Sequence, residues 1–287
     1  MIAKSRICRI GPVGNRAGRC YFLLVQVPLA PEYMLTVVSP SKTPEQLEFE
    51  KQAVAKAAIR FVRNNMLLGL GSGSTSSYFL NLLGEAVRYR GLKVEAVASS
   101  LQVAARAREL GIPVFEPRRG LRPDLTIDGA DEIAPDLSLI KGAGGALLRE
   151  KIVARASRRF LVISDSSKRV QLLGRRRLPV EVIPFATPWV MDLIQELGGK
   201  PVLRIQQSQP DSPVLTDQQD YLLDCDFGLI SDPTSLAVAL QAIPGIVGHG
   251  LFLGLAYAAL IADGNELLLL RPGKTAATLS ERDLVLD

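Results

Sequence analysis

The stretch DLTIDGADEIAPDLSLIKGAGGALLRE sets Asp128, Asp131, Lys141 and Glu150 among small residues that leave room for a ligand. A carboxylate can draw a weakly acidic proton from carbon only if the charge that develops on oxygen is stabilised. Carboxylates combined with a cation and free peptide N–H groups are therefore suited to proton transfer beside a carbonyl. Lys141 precedes Gly142-Ala143-Gly144-Gly145, a helix entrance without bulk where such an oxyanion could be held. Upstream, GLGSGSTSS at 69–77 lies between an expected strand and an expected helix, a natural seat for phosphate. It is neither a dinucleotide fingerprint, since Ser74 holds the third glycine position, nor a P-loop, since it has no lysine. Lys168, in SDSSKRV, stands at the end of another expected strand beside Ser166 and Ser167, placed to meet phosphate or simply exposed.

Taken singly, each of these residues has a plainer reading. Aspartates form turns, the glycine-rich loop can be a turn with a serine cap, and Glu150 can be a solvated helix residue pairing with Lys151 or Arg155. It is their combination that points to one site. His249, the only histidine, has no nucleophile pattern around it, and no GxSxG elbow occurs. Cys8, Cys20 and Cys225 form no CxxC pair, so neither a disulfide framework nor a zinc site is expected, and a reducing compartment fits. No metal or organic cofactor is implied.

The elements that must hold these groups alternate. Thr43-Pro44-Glu45-Gln46 reads as a capping box opening a helix to about Asn65. Strand 66–71, a helix from Ser77 to Arg90, strand 93–99, helix 101–110, strands 112–117 and 124–128, helix 145–157 and strand 159–164 follow. That alternation predicts a mostly parallel, Rossmann-like sheet covered on both faces. After Arg175-Arg176-Arg177 the order becomes strand, helix, strand, strand, helix, strand, with Thr187 as the expected cap of the first helix. This is the order of a ferredoxin-like α+β unit. The expected division is a catalytic domain over 43–177 and 254–272, a smaller domain over 178–253 and a tail over 273–287, with a hairpin turning at Asp263-Gly264-Asn265.

The formal charge of +5 resides in residues 1–42, where six basic residues face Glu32; 28 basic and 28 acidic residues remain elsewhere. The rest of the chain thus lacks the excess of a nucleic-acid binder. No apolar run reaches the roughly 18–20 residues of a membrane span. The Arg-rich leader, with Met34 just before a helix start, is expected to be an extension or an upstream-assigned start, with organelle targeting a further alternative.

GSGST, TIDGADEI, LIKGAGGALLREKIVA, SDSSK, PVEVIPFA, LLDCDF and AIPGIVGHGLF occur in the order and approximate spacing of type A ribose-5-phosphate isomerases, and the chain resembles that family from about residue 44 to 262. The resemblance implies a Rossmann-like domain with a ferredoxin-like lid, and interconversion of D-ribose 5-phosphate and D-ribulose 5-phosphate through an enediolate. It implies Glu150 as general base, Asp128 assisting ring opening and oxygen protonation, and Asp131 and Lys141 holding sugar hydroxyls and the reacting oxygen. It further implies a substrate site of Ser72, Gly73, Ser74, Thr75, Gly129, Ala130, Gly142, Ala143, Gly144 and, for phosphate, Lys168. A cytoplasmic homodimer or homotetramer with no nucleic-acid or membrane partner fits. The alternatives are a sugar-phosphate-sensing regulator of related fold, for which no helix-turn-helix is seen, and a phosphosugar hydrolase or deaminase, for which His249 is poorly placed. Ser72 for a common Thr, Ala143 for a common Gly, Gln218-Gln219-Asp220 for Asn-Gly-Asn, and Gly248 for a polar residue depart from the pattern.

Overall fold

The structure, a computed structural model, describes residues 42–279. The expectations for the leader, apart from Lys42, and for the tail from residue 280 onward lie outside the described residues. The chain runs through α1 Pro44–Ala58, β1 Met66–Leu70, α2 Gly73–Arg90, β2 Val94–Ala98, α3 Leu101–Glu109 and β3 Leu125–Asp128. Then come β4 Glu132–Ile133, β5 Leu139–Ile140, α4 Leu147–Ala156, β6 Phe160–Asp165, β7 Leu178–Val182, α5 Thr187–Glu196 and β8 Lys200–Leu203. The remainder is β9 Ile205–Gln206, β10 Gln209–Pro213, β11 Tyr221–Asp226, α6 Pro233–Gln241, β12 Ile246–His249, β13 Leu251–Phe252, β14 Ala258–Asp263, β15 Glu266–Leu270 and β16 Ala277–Thr278.

The largest sheet has the order β16-β15-β14-β6-β3-β1-β2. It is parallel from β2 to β14 and antiparallel beyond. Side chains alternate across a strand, so a sheet covered on both faces needs apolar residues in both registers. β6 and β14 meet that need: Leu161, Ile163, Ala258, Leu260 and Ala262 enter the core with α1 and α2, while Phe160, Val162, Ala259 and Ile261 enter the opposite core with Phe252 and Leu139. The capping box at Thr43 forms as expected, Gln46 N donating to Thr43 Oγ1 and Thr43 N to Gln46 Oε1. The helix stops earlier than expected, at Ala58, with a short 3₁₀ turn through Phe61.

A four-stranded antiparallel sheet of order β12-β7-β11-β8 packs with α5 and α6 in an apolar cluster that includes Val180, Val182, Val190, Ile194, Leu223 and Leu240 and is shared with Ala134, Ile140, Val170 and Leu173. A third, three-stranded sheet, β13-β5-β4, was not anticipated. Its hairpin β4–β5 pairs Glu132 with Ile140, which brings the flanking Asp131 and Lys141 together at its open end.

Three expectations are corrected. Residues 112–117 do not form a strand but make one isolated bridge, Val114 to Ala96, because Pro113 and Pro117 have no N–H to extend a ladder. Thr187 does not cap α5: the cap residue is Ala186, and the Thr187 hydroxyl donates back to the Ile183 carbonyl. α2 starts at Gly73 rather than Ser77, so most of the serine- and glycine-rich loop is its first turn. The described part of the expected tail also adds β16 to the large sheet.

Candidate active site

Ligands in open α/β sheets gather at the carboxyl ends of the strands, and the loops leaving β1, β3 and β6 carry Ser72–Thr75, Gly129–Asp131 and Ser166–Lys168 to that edge. One cleft there is lined by Ser72, Gly73, Ser74, Thr75, Gly129, Ala130, Asp131, Lys141, Gly142, Ala143, Gly144, Glu150 and Lys168. The structure thus brings together every residue singled out from the sequence except Asp128, which stands behind the wall.

Asp128 ends β3 and is 1% exposed. Its Oδ1 accepts from Ser72 N at 3.0 Å, Ser76 Oγ at 3.2 Å and Gly129 N at 2.7 Å, and its Oδ2 lies 3.0 Å from Lys141 Nζ. Gly71 makes room for it: a Cβ at that position would fall 2.1 Å from Asp128 Cγ. Lys141, 3% exposed, donates from Nζ to the Gly129 carbonyl at 2.7 Å, lies 3.3 Å from Glu150 Oε2 and sits over the Phe252 ring at 5.6 Å. Glu150, on the first turn of α4, is 5% exposed. Its Oε1 accepts from Ser72 Oγ at 2.6 Å, while Oε2, although ion-paired, has no hydrogen-bond partner among the described residues. The solvated reading of Glu150 is thereby replaced: α4 is covered by β7 and β12 on one side, and Glu150 points to the cleft on the other.

Two carboxylates share one ammonium. Burial pushes the Asp128 carboxyl up to about 7, with the nearby charge of Lys141 opposing and that of Glu150 reinforcing the rise. Burial alone would lower Lys141, but the carboxylates of Asp128 and Glu150 overcome it and hold the ammonium above its ordinary value. Asp131 accepts from Ala143 N at 2.9 Å through Oδ2, tying the hairpin base to the glycine-rich turn. Gly142 and Gly145 have φ of +107° and +86°, which the backbone of that turn requires, and Gly145 N closes it onto the Gly142 carbonyl at 3.0 Å.

At the other end of the cleft, burial and the nearby Arg176 lower Lys168, with Asp165 and Asp131 opposing. The Ser72 hydroxyl, which would ordinarily cap α2, is spent on Glu150, so no side chain caps the helix. The orphan N–H groups of its first turn are left for an anion. Ser76 was missed from sequence: its hydroxyl meets Asp128 Oδ1, which Ser72 reaches through its backbone N–H while its own hydroxyl turns to Glu150. Arg204, which donates to the carbonyls of Gly142 and Ala143, 62 and 61 residues away, gave no local signal at all. His249 lies outside the cleft, accepting from Leu251 N at 3.3 Å, and burial followed by the charge of Lys151 lowers it to about 3. No group of three or more potential metal ligands occurs among the described residues.

A model of the ribose 5-phosphate isomerase A (phosphoriboisomerase A) family matches residues 95–266. Ribose-5-phosphate isomerase A of Roseiflexus castenholzii is 49% identical over 220 residues, covering 76% of this chain and 93% of that protein. The structure of ribose 5-phosphate isomerase A from Methanocaldococcus jannaschii superposes with a TM-score of 0.75 at 35% identity, covering 80% of this chain and all of that one. A D-ribose-5-phosphate isomerase in complex with phospho-erythronic acid also superposes with a TM-score of 0.75, at 33% identity and the same coverage.

Proposed function

Because the chain belongs to the ribose 5-phosphate isomerase A family, we propose that the cleft at the ends of β1, β3 and β6 is its catalytic centre, with Glu150 as the base. The protein is an isomerase interconverting D-ribose 5-phosphate and D-ribulose 5-phosphate, and the regulatory reading finds no support.

The observation that carries the assignment is the pair of environments at Glu150. One oxygen is anchored by Ser72, and the other, without a hydrogen bond, lies beside the Lys141 ammonium. With the sugar open, Glu150 takes the proton from C2, the C1 carbonyl becomes an enediolate oxygen, and the same carboxylate returns the proton to C1. The C2–H and O2–H bonds break and C1–H and O1–H bonds form, the hydroxyl proton passing from O2 to O1 at the enediolate stage, so the aldehyde is reduced as the C2 alcohol is oxidised and no external electron carrier is consumed. Lys141 stays charged across neutral pH and stabilises the enediolate oxygens. Asp128 acts from behind through Lys141, and its value of about 7 suits proton exchange near neutrality during ring opening. Asp131 fixes the turn that faces the sugar hydroxyls. The α2 entrance, with Lys168, receives the phosphate.

The segment 178–253 is proposed as a smaller domain over the cleft, on the strength of its separate four-stranded sheet. A homodimer or homotetramer is supported by the exposed Phe185, in the 3₁₀ turn before α5, and Trp189, in the first turn of α5, and a cytoplasmic site by the free Cys225.

The test is turnover of ribose 5-phosphate in deuterium oxide. A carboxylate base that exchanges with solvent places deuterium on C1 of the ketose. A product free of deuterium, formed as readily by Glu150→Gln as by wild type, would point to direct hydride transfer and contradict the assignment.

A further inference from the structure

The chain after β8 reaches back to the site through Arg204. Its Nε and Nη2 grip the Asp224 carboxylate on β11, at 2.9 and 2.5 Å, and its Nη1 donates to the carbonyls of Gly142 at 3.2 Å and Ala143 at 3.1 Å. Arg204 does not line the catalytic cleft; it occupies the neighbouring groove on the outer side of the 142–145 turn.

We infer that Arg204, held by Asp224, is a positioning residue for the isomerisation, fixing the 142–145 turn so that the Gly144 N–H rather than a carbonyl faces the substrate oxygens. This rests on the cleft being the catalytic centre. A trans peptide is planar, with C=O and N–H on opposite sides, so holding the Gly142 oxygen outward directs the Ala143 N–H inward. There it meets Asp131 Oδ2. By the same geometry, holding the Ala143 oxygen outward turns the Gly144 N–H toward the cleft that Gly144 lines. Gly142 and Gly144 allow the peptides to turn over easily, and a flipped peptide would aim a carbonyl at the enediolate, where it repels. A guanidinium can satisfy two carbonyls and a carboxylate together because its donors form a rigid planar fork, which an ammonium does not. The smaller sheet thereby acquires an indirect part in the chemistry: β11 and the β8–β9 junction set the orientation of the turn that separates their groove from the cleft.

The experiment compares wild type with Arg204→Met, Arg204→Lys and Asp224→Asn. It measures kcat and KM for ribose 5-phosphate, inhibition by phospho-erythronic acid, and thermal midpoints. The carboxylate of that inhibitor is planar and carries two oxygens, as the enediolate does, so it reads the oxyanion geometry apart from ground-state binding. For Arg204→Met kcat falls about 10–100-fold, the scale of a misplacement near 1 Å. KM stays within about threefold, and the inhibitor weakens in step with kcat/KM as expected of an intermediate mimic. Arg204→Lys and Asp224→Asn fall in between. Wild-type kcat and inhibitor affinity in Arg204→Met would overturn the inference. So would a loss in which substrate and inhibitor weaken equally alongside a lowered thermal midpoint, since that marks a merely structural role. Glu150→Gln serves as the control: if it remains active the cleft itself is misassigned, whereas an inactive Glu150→Gln beside an unaffected Arg204→Met removes only the clamp.

Discussion

Replacing Lys141 with Met removes the one positive charge between two buried carboxylates. Asp128 Oδ2 lies 3.0 Å and Glu150 Oε2 3.3 Å from Nζ, and all three side chains are at most 5% exposed. At an effective dielectric near 20 each contact is worth about 5 kcal/mol of Coulomb energy, most of it offset by the cost of taking the charges out of water. Breaking such a cluster while leaving its partners charged and buried costs about 3–5 kcal/mol. Acid relieves that cost. Asp128, already raised to about 7 with Lys141 in place, rises further without it. The native variant then binds more protons than the unfolded chain between the ordinary carboxylate range and this raised value, and its stability falls as pH climbs through that window. Urea unfolding followed by circular dichroism should therefore show Lys141→Met destabilised by about 3–5 kcal/mol at pH 8, with a smaller deficit at pH 5. Losing an oxyanion partner should also lower kcat by about 10²–10³-fold. A variant within about 1 kcal/mol of wild type at pH 8, or a deficit that grows on acidification, would refute the reasoning, since either result is incompatible with a buried cation held by two ionised acids.

Three further outcomes are expected. Gly71→Ala puts a methyl 2.1 Å from Asp128 Cγ, so isomerisation drops about 100-fold, as for a displaced catalytic group, while circular dichroism keeps its native form; unchanged kinetics would show that Asp128 need not stay where it is. Ser72→Ala removes the 2.6 Å anchor of Glu150; a hydrogen bond to a charged group is worth about 1.5–3 kcal/mol, which corresponds to a kcat lowered about 10–100-fold with KM nearly constant, and a change in KM alone would place Ser72 on the substrate instead. Lys168→Gln should raise KM for ribose 5-phosphate about tenfold through a lost charged contact while leaving turnover of unphosphorylated ribose as it was; equal losses for both sugars would detach Lys168 from the phosphate.

Much of this was written locally in the chain. The alternation of apolar runs with helical periods sufficed for β1, β3, β6 and the helices between them, because parallel strands buried on both faces are apolar throughout. Asp128, Asp131, Lys141 and Glu150 share one short stretch, so their combination was readable even though each residue was ambiguous. What escaped depends on distance or on short elements. The β4–β5 hairpin has two-residue strands, one of which begins with the buried Glu132, and no periodicity can show in so few positions. Glu150 looks solvated on its own helix because what covers it, Lys141 at the end of the hairpin and Ser72 in the loop 78 residues upstream, does not belong to that helix. Ser76 read as a loop residue, yet its hydroxyl meets Asp128, and Arg204 reaches a turn 61 residues away. Thr187-Pro188 imitates a cap, but the 3₁₀ turn at Pro184–Ala186 carries the chain into α5 without one.

The central claim is that the Glu150 carboxylate moves the proton, and it is tested most directly by comparing wild type with Glu150→Gln in the conversion of ribose 5-phosphate, both treated with a chelator. The amide keeps the size of the side chain and can still meet Ser72, but it cannot accept the C2 proton. Wild type should turn over without added metal. The variant should lose at least about 10³-fold in kcat, as expected when a general base and its charge are both removed, while ribose 5-phosphate still raises its thermal midpoint. A silent wild type, or a variant that keeps wild-type kcat, would contradict the account.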